Sequence, residues 1–252
     1  YYRLYDADVK NEERVDQTIR WLELPEAERP HFISLYFSFV DHEAHTSGPT
    51  SKATQRILHT ADSLLGMLMA KVETLKLPVN IVVVSDHGLY EMKRQEKVFR
   101  YVDHLINTTD TSVVFANAGS QVHFYTKRVD SLYAVLKKQA KGFNVYKQSE
   151  FPERWHYRHH RSGDIMIVAD PGTYFLPAPK DLSTWEGTGN FGEHGYDPAL
   201  TKEVNGIFYA MGPNVKKGVR LKPFENIHVY PFVAKILGLK TPLIDGDGKV
   251  LE

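Results

Sequence analysis

The sequence predicts an α/β protein with a mainly parallel sheet flanked by helices, together with a small α+β insertion. Two short segments, 31–40 and 81–85, are almost continuously apolar, which is typical of strands that are buried on both faces of a parallel sheet. Amphipathic helical patterns lie before and between them. The order helix, strand, helix, strand is typical of βαβ units, in which successive strands run parallel.

The helices are predicted from apolar spacing and from the residues that end them. In segment 11–24, apolar side chains recur every three or four positions until Pro25. Segment 51–75 carries a longer apolar stripe, and Pro78 follows its end. We therefore expect one amphipathic helix on either side of the first strand.

The segment 90–186 changes character, and we interpret it as a small α+β insertion. Its predicted elements are short: a helix over 131–140, a strand over 164–169, and a hairpin with arms at 111–116 and 121–126. The main fold then resumes with a strand over 206–211 and a helix over 230–237. We therefore assign 1–89 and 187–252 to the core domain and 90–186 to the insertion.

Composition limits the classes of function. The 252 residues suffice for one large domain, or for one domain with an inserted subdomain. Lys plus Arg and Asp plus Glu balance at 31 each, which argues against a nucleic-acid-binding surface but not against a small anionic substrate. No apolar run is long enough to span a membrane. With 12 His and 0 Cys, a transition-metal site would be built from imidazole and carboxylate ligands.

Three polar clusters stand beside the predicted strands. Asp41-His42-Glu43-Ala44-His45 follows the first strand, Asp86-His87-Gly88 follows the second, and Gly192-Glu193-His194-Gly195 precedes the strand over 206–211. Ligands of parallel sheets bind beyond the carboxyl ends of the strands, and carboxylates with imidazoles are ligands of catalytic zinc. Each cluster taken alone could be no more than the polar start of a loop. Together they predict a metal site at one edge of the sheet.

Longer sequence blocks occur in a specific order along the chain. They are Asn-Glu-Glu-Arg-Val-Asp at 11–16, Val-Val-Ser-Asp-His-Gly at 83–88, His-Gly-Tyr-Asp at 194–197 and Lys-Pro-Phe-Glu-Asn-Ile at 222–227. With these blocks the chain resembles the nucleotide pyrophosphatase/phosphodiesterase family of the alkaline phosphatase superfamily, from near Tyr5 to about Leu239. The resemblance implies an alkaline-phosphatase-like core. It also implies hydrolysis of phosphodiester or pyrophosphate bonds, in nucleotides, by a two-zinc enzyme.

Residue by residue, the resemblance implies ligands for two Zn²⁺ ions. Asp41, His45 and His194 match the ligands of one zinc, and Asp86 and His87 match two ligands of the other. In the family, an Asp and a Thr or Ser nucleophile from an N-terminal region complete the second zinc. Neither has a counterpart in this chain. We therefore expect this chain to be inactive on its own.

The resemblance also implies a substrate contact at Tyr5. The family stacks a nucleotide base on a Tyr just before the Glu-Glu-Arg block, where this chain has Tyr5. A flat ring stacks on any base, so a nucleotide is implied without a choice among bases. The alternative is that Tyr5 only packs the entry of the chain into the core.

The resemblance further sets the expected context of the protein. Because the chain begins at Tyr1 rather than Met, we expect it to be part of a longer product. The expected partner is a small nucleotide or another phosphodiester, and the expected state is a monomer. The expected location is the periplasm or the extracellular space.

The chain departs from the family in the linker between its first two ligands. Many relatives have Glu-Pro-Asp-Ser-x-Gly-His where this chain has Phe-Val-Asp-His-Glu-Ala-His over 39–45. Ala44 in place of Gly requires a negative φ or some strain, and His42 and Glu43 add polar groups.

Two alternatives stay open for the function: a phosphomonoesterase or phosphonate hydrolase of the same superfamily, and a zinc-binding domain without catalysis.

Overall fold

The computed structural model describes residues 1–179 and 189–251, which form two compact units. One unit contains Tyr1–Val40, Gln55–Asp86 and the chain from Ile207 onward, and the other contains Asp41–Thr54 and His87–Gly206. The insertion predicted over 90–186 stays a prediction, and its end at 186 lies outside the described residues.

Helices and strands alternate irregularly along the chain. The α-helices are α1 (Asn11–Leu22), α2 (Phe39–Ser47), α3 (Lys52–Leu75), α4 (Val102–Leu105), α5 (Val129–Gln139) and α6 (Val229–Ile236). The strands are β1 (Ile81–Val84), β2 (Tyr90–Met92), β3 (Phe99–Tyr101), β4 (Val113–Asn117), β5 (Gln121–Thr126), β6 (Phe143–Lys147), β7 (Ile165–Ala169), β8 (Tyr174–Leu176), β9 (Phe191–Glu193) and β10 (Phe208–Met211). Of the described helices, none combines the length and the apolar character that a membrane crossing needs.

Most of the predicted elements are confirmed, with ends that differ by at most two residues. The strand predicted over 31–40 is wrong. Residues 32–38 have no regular secondary structure, and Phe39 and Val40 already belong to α2. An apolar run becomes a strand only where another strand pairs with its backbone, and no described strand pairs with this one.

The mainly parallel sheet is not found among the described strands, whose sheets are small and mostly antiparallel. Within that part of the chain, β3 and β8 form the one parallel pair. β1 and β10 pair antiparallel as a two-stranded ribbon. Val84, Tyr209 and Met211 on this ribbon are 45%, 67% and 47% exposed, so β1 is not buried on both faces as the sequence predicts.

The core of the second unit is built on a four-stranded antiparallel sheet in the order β4-β5-β7-β6. All five residues of β7 are buried, because apolar side chains cover both of its faces. Ile165 and Ile167 belong to a large cluster that includes Phe124, and Met166 packs with Phe151 in a smaller one. The central strand is therefore fixed from both sides.

β2 and β9 form a short ladder that connects this core with the candidate site. Met92 lies opposite Phe191, and both belong to the larger cluster with exposures of 1% and 3%. Glu91 lies opposite Gly192, and Tyr90 lies opposite Glu193. The buried end of the ladder anchors it, and its other end leads directly into His194.

Candidate metal centre

Helix α2 places two candidate ligands on one face. Asp41 and His45 are four residues apart, which brings side chains of a helix together. His45 Nε2 lies 3.3 Å from Asp41 Oδ1. Ala44, which replaces the family's Gly, is 2% exposed and helical, so it needs no positive φ. The departure from the family pattern therefore leaves the backbone of the linker unstrained.

The orientation of the His45 ring is set by a backbone carbonyl. His45 Nδ1 lies 2.7 Å from the oxygen of Gly192. A carbonyl oxygen only accepts, so Nδ1 carries the proton and donates it. In the neutral ring, Nε2 is then left with a lone pair that faces Asp41. This is the usual way in which a backbone partner fixes the tautomer of a metal-binding histidine.

Gly192 also allows α2 to approach β9 closely. A Cβ at this position would lie 2.5 Å from the carbonyl oxygen of Ala44 and 2.9 Å from Leu89 Cδ2. Any side chain there would push α2 away from the strand. The glycine therefore makes possible the hydrogen bond that orients His45.

His87 and His194 approach Asp41 from two other segments. One ligand atom each from Asp41, His87 and His194 lie within 4.8 Å of one another. His87 Nε2 is 4.0 Å from Asp41 Oδ1, and the rings of His87 and His194 stack with centroids 3.6 Å apart. The His45 and His194 rings meet edge to face at 5.1 Å. Three imidazoles thus converge around one carboxylate.

The chemistry of this group fits a divalent metal ion. Asp41 Oδ1 is buried and accepts no hydrogen bond, which is costly for a polar atom unless a cation compensates it. The nearest nitrogen, His45 Nε2, presents a lone pair to it in the neutral ring. Carboxylate and imidazole are also the ligand types that zinc prefers in catalytic sites. Acceptors that face each other in this way are stabilised when they share a cation.

Four of the five predicted ligands therefore lie close together within one unit: Asp41, His45, His87 and His194. Asp86 directly precedes His87 but belongs to the other unit. The compact triad combines Asp41 and His194 with His87, whereas the family resemblance implies that His87 binds a different zinc. The division of the ligands over two ions stays a prediction.

Tyr5 lies in the other unit and is 56% exposed. Its hydroxyl is 2.7 Å from Ser38 Oγ, and the Arg14 guanidinium carbon lies 5.0 Å from its ring centroid. The Tyr36 ring is tilted against it at 5.9 Å. The side chain is thus held at the surface by neighbours within its own unit.

Glu193 is a site residue that the sequence argument did not single out, although it lies inside the third cluster. Its carboxylate Oε2 is 3.9 Å from His45 Nδ1. The pKa of this carboxyl group is raised to about 7, mainly by burial and also by the charge of Asp41, while a hydrogen bond with Tyr174 acts in the opposite direction. Its position directly before the predicted ligand His194 could have identified it from the sequence.

The comparisons with known proteins agree with this chemistry. The sequence model of the family described as type I phosphodiesterase / nucleotide pyrophosphatase matches residues 1–197. A venom phosphodiesterase from Crotalus durissus collilineatus is 30% identical over 253 residues, which cover 97% of this chain and 30% of that protein. Ectonucleotide pyrophosphatase/phosphodiesterase family member 1 from Mus musculus is 30% identical over 249 residues, covering 94% and 27%.

Solved structures are also similar. Murine ectonucleotide pyrophosphatase/phosphodiesterase 5, in an inactive variant in complex with AMP, is 28% identical with a TM-score of 0.86 and matches 100% of this chain and 66% of its own. The human protein of the same name is 26% identical with a TM-score of 0.83. These neighbours confirm the alkaline-phosphatase-like fold. The chain spans less than a third of the curated relatives' length and about two thirds of the solved chains.

Proposed function

This chain belongs to the type I phosphodiesterase / nucleotide pyrophosphatase family, and we propose that the protein that carries it hydrolyses phosphodiester or pyrophosphate bonds in nucleotides with the help of zinc. The reaction proceeds through a covalent intermediate on a Thr or Ser outside this chain. The observation that carries the proposal is the convergence of Asp41, His87 and His194 within 4.8 Å, around a buried carboxylate oxygen that accepts no hydrogen bond.

Two zinc ions are proposed, with ligands divided as the family resemblance implies. Asp41, His45 and His194 hold one, and Asp86 and His87 contribute to the other. When bound, zinc supplies Lewis-acid polarisation of the phosphoryl group and neutralises negative charge on it. His87 Nε2 lies 4.0 Å from Asp41 Oδ1, which supports a place for His87 beside the ligands of the first ion.

The chain's own residues prepare the ligands for this task. His45 Nδ1 keeps its proton and donates it in a hydrogen bond to the Gly192 carbonyl, so Nε2 remains available as an electron-pair donor. His87 Nδ1 lies 3.1 Å from the Gly88 carbonyl, which acts in the same way on the second ring. Both rings can therefore offer Nε2 to a metal ion.

A nucleotide is the proposed substrate. The solved relative in complex with AMP supports this for a neighbouring protein of the same family. In this chain Tyr5 is proposed to stack on the base. More than half of its side chain is exposed, while Ser38 and Arg14 hold its orientation. Arg14 lies over the ring, so the base would use the opposite face.

The same relatives suggest where the protein acts. Those named above are venom and ecto-enzymes, so we propose an extracellular location, with a periplasmic one as the bacterial equivalent. A monomeric state is part of the same proposal. The expected partner is a small nucleotide and not a macromolecular assembly.

The test uses the full-length protein, a nitrophenyl nucleotide ester and nitrophenyl phosphate. We expect the diester to be hydrolysed faster than the monoester. His194→Ala should lower the diester rate at least about 100-fold, because a ligand is lost. The matched control His31→Ala changes an exposed histidine of the other unit and should leave the rate unchanged. This chain expressed alone should show no useful rate.

Two results would contradict the proposal. Faster hydrolysis of the monoester would favour a phosphomonoesterase. A rate for the isolated chain that matches the full-length protein would mean that the nucleophile lies within these residues. In that case Thr46, Ser47 and Ser85 would be the candidates for it.

A further inference from the structure

One carboxylate outside the ligand set joins three segments of the site. Glu91 Oε2 accepts hydrogen bonds from the backbone N–H of Thr50, at 3.2 Å, and from the Thr50 hydroxyl. Asn190 Nδ2 donates to Glu91 Oε1 at 2.7 Å. The hydroxyl of Thr50 is the main cause that lowers the pKa of Glu91, and Asn190 adds to it. Glu91 is thus a carboxylate that receives three donors from two distant segments.

These donors lie next to the two elements, α2 and β9, that must be in contact for the Gly192 carbonyl to orient His45. Thr50 lies in the loop that follows α2, the helix of Asp41 and His45. Asn190 directly precedes β9, the strand that contains Gly192. Glu91 itself lies opposite Gly192 in the β2–β9 ladder. The carboxylate therefore fastens the end of α2 to the start of β9.

The orientation of His45 depends on the close packing of α2 against β9. The space for a Cβ at Gly192 is already taken by the Ala44 carbonyl, at 2.5 Å, so the helix lies directly on the strand. The 2.7 Å hydrogen bond from His45 Nδ1 to the Gly192 carbonyl spans the same contact. If α2 moves away from β9, this hydrogen bond lengthens with it.

We propose that Glu91 is a positioning residue for His45: by holding α2 against β9 it keeps His45 Nδ1 on the Gly192 carbonyl and Nε2 directed toward Asp41. The inference rests on the proposed metal site and adds to it a residue that does not itself bind the metal. Among the described residues, the ligand triad is formed by Asp41, His87 and His194, and Glu91 is not part of it.

Glu91→Gln is the sharpest perturbation, because it keeps the shape of the side chain. An amide has one acceptor end and one donor end, whereas Glu91 is met by donors at both of its oxygens. The amide nitrogen of the variant therefore faces a donor unless the Asn190 amide rotates to present its oxygen, and in either case the hydrogen bonds lose their charged acceptor. The matched control is Glu73→Gln, on an exposed glutamate of α3.

The experiment measures zinc affinity in the full-length protein by competition with a chromophoric chelator, and the absorption spectrum of bound Co²⁺. His45→Ala identifies the metal site to which His45 contributes. Glu91→Gln should weaken zinc binding at that same site by about 10-fold, the lower end of the loss seen when a ligand's own hydrogen-bond partner is removed, because Glu91 acts on His45 through the Gly192 carbonyl. It should also shift the Co²⁺ spectrum of that site. Glu73→Gln should change neither.

A second set of variants covers the case in which Glu91→Gln does not fold. Thr50→Val and Asn190→Ala each remove donors while leaving the carboxylate in place. Each should weaken the same metal site by about 3-fold or more. A purely structural role would lower the melting temperature and leave zinc affinity and the Co²⁺ spectrum of the folded protein unchanged, which would overturn the inference.

The outcome also separates this inference from the proposed function. If His194→Ala abolishes zinc binding at one site but Glu91→Gln retains the parent's affinity, the metal site stands and the role of Glu91 is refuted. If the parent protein binds no zinc, the proposed function fails and this inference fails with it.

Discussion

Asp41→Asn should make the protein more stable than the parent without zinc and less stable than the parent with zinc. The substitution keeps the size of the side chain and replaces one carboxylate oxygen by an amide nitrogen. Asp41 Oδ1 is buried without a hydrogen bond and lies 3.3 Å from His45 Nε2, which is an acceptor in the neutral ring. An amide at position 41 can donate to that nitrogen. The variant therefore gains a hydrogen bond at the point where it loses a metal ligand.

The magnitudes follow from these contacts. The new hydrogen bond should stabilise the zinc-free protein by about 1 kcal/mol. We add nothing for relieved repulsion with Glu193, because the Asp41 side chain is 44% exposed and solvent screens its charge. At a zinc concentration of about 100 times its Kd, the parent gains about 2.7 kcal/mol. If the Kd of the variant is about 100-fold higher, it gains only about 0.4 kcal/mol at the same zinc concentration.

Urea unfolding with excess chelator and with zinc measures both effects in the full-length protein. The variant should be the more stable protein in chelator by about 1 kcal/mol, and the parent should be the more stable one in zinc by about 1.3 kcal/mol. A variant that is less stable than the parent in both conditions would refute the reasoning, since Asp41 would then be a residue of the fold. Equal stabilisation of both proteins by zinc would refute its role as a ligand.

Three further predictions concern the core, the pH dependence and the substrate. Phe124→Ala, at a fully buried position of β5, should lower the free energy of unfolding by about 3–5 kcal/mol in urea titrations, whereas Val114→Ala on the neighbouring strand, 61% exposed, should change it by less than about 0.5 kcal/mol. Burial by itself would raise the pKa of Asp197, but hydrogen bonds of 2.7 and 2.5 Å from Arg154 outweigh it and the pKa is lowered. The parent's stability advantage over Arg154→Gln should therefore be complete above about pH 5 and shrink as the pH falls below about 4; an advantage that does not depend on pH would contradict this. Tyr5→Ala should reduce turnover of a nucleotide diester more than turnover of a small nitrophenyl diester, and equal losses would exclude stacking on the base.

Local sequence patterns predict helices α1, α3, α5 and α6, miss α2 and α4, and predict the strand pairing poorly. The spacing of Val15, Ile19 and Leu22 is enough to locate α1, because a helix satisfies its own backbone hydrogen bonds. The strand predicted over 31–40 had the right composition, but a strand depends on a partner elsewhere in the chain. Apolar character likewise says nothing about the direction of that partner, so the antiparallel pairing of β1 with β10 could not be foreseen.

In the candidate site, the sequence likewise predicts which residues are ligands but not how they are arranged in space. The motifs around Asp41, His87 and His194 identify ligand types from short stretches of sequence. Their mutual distances depend on segments that are far apart in the chain, and so does the role of Glu91. Its donors are 41 and 99 residues away in sequence, and no local pattern links them. The sequence places Glu193 in the third cluster, but its raised pKa follows from burial, which a sequence pattern does not show.

The β1–β10 ribbon has a practical consequence for handling the isolated chain. Residues directly opposite in an antiparallel pair share one face, so Tyr209 lies beside Val83 and Met211 beside Ile81. Half-exposed apolar side chains lie on this ribbon, and no other described strand pairs with its outer edges, so a second molecule can add a strand there. Concentrated preparations should therefore self-associate, and light scattering should rise more slowly for a variant with Lys at Tyr209 or Met211. Strand addition at this ribbon therefore limits the concentration at which the isolated chain stays monomeric.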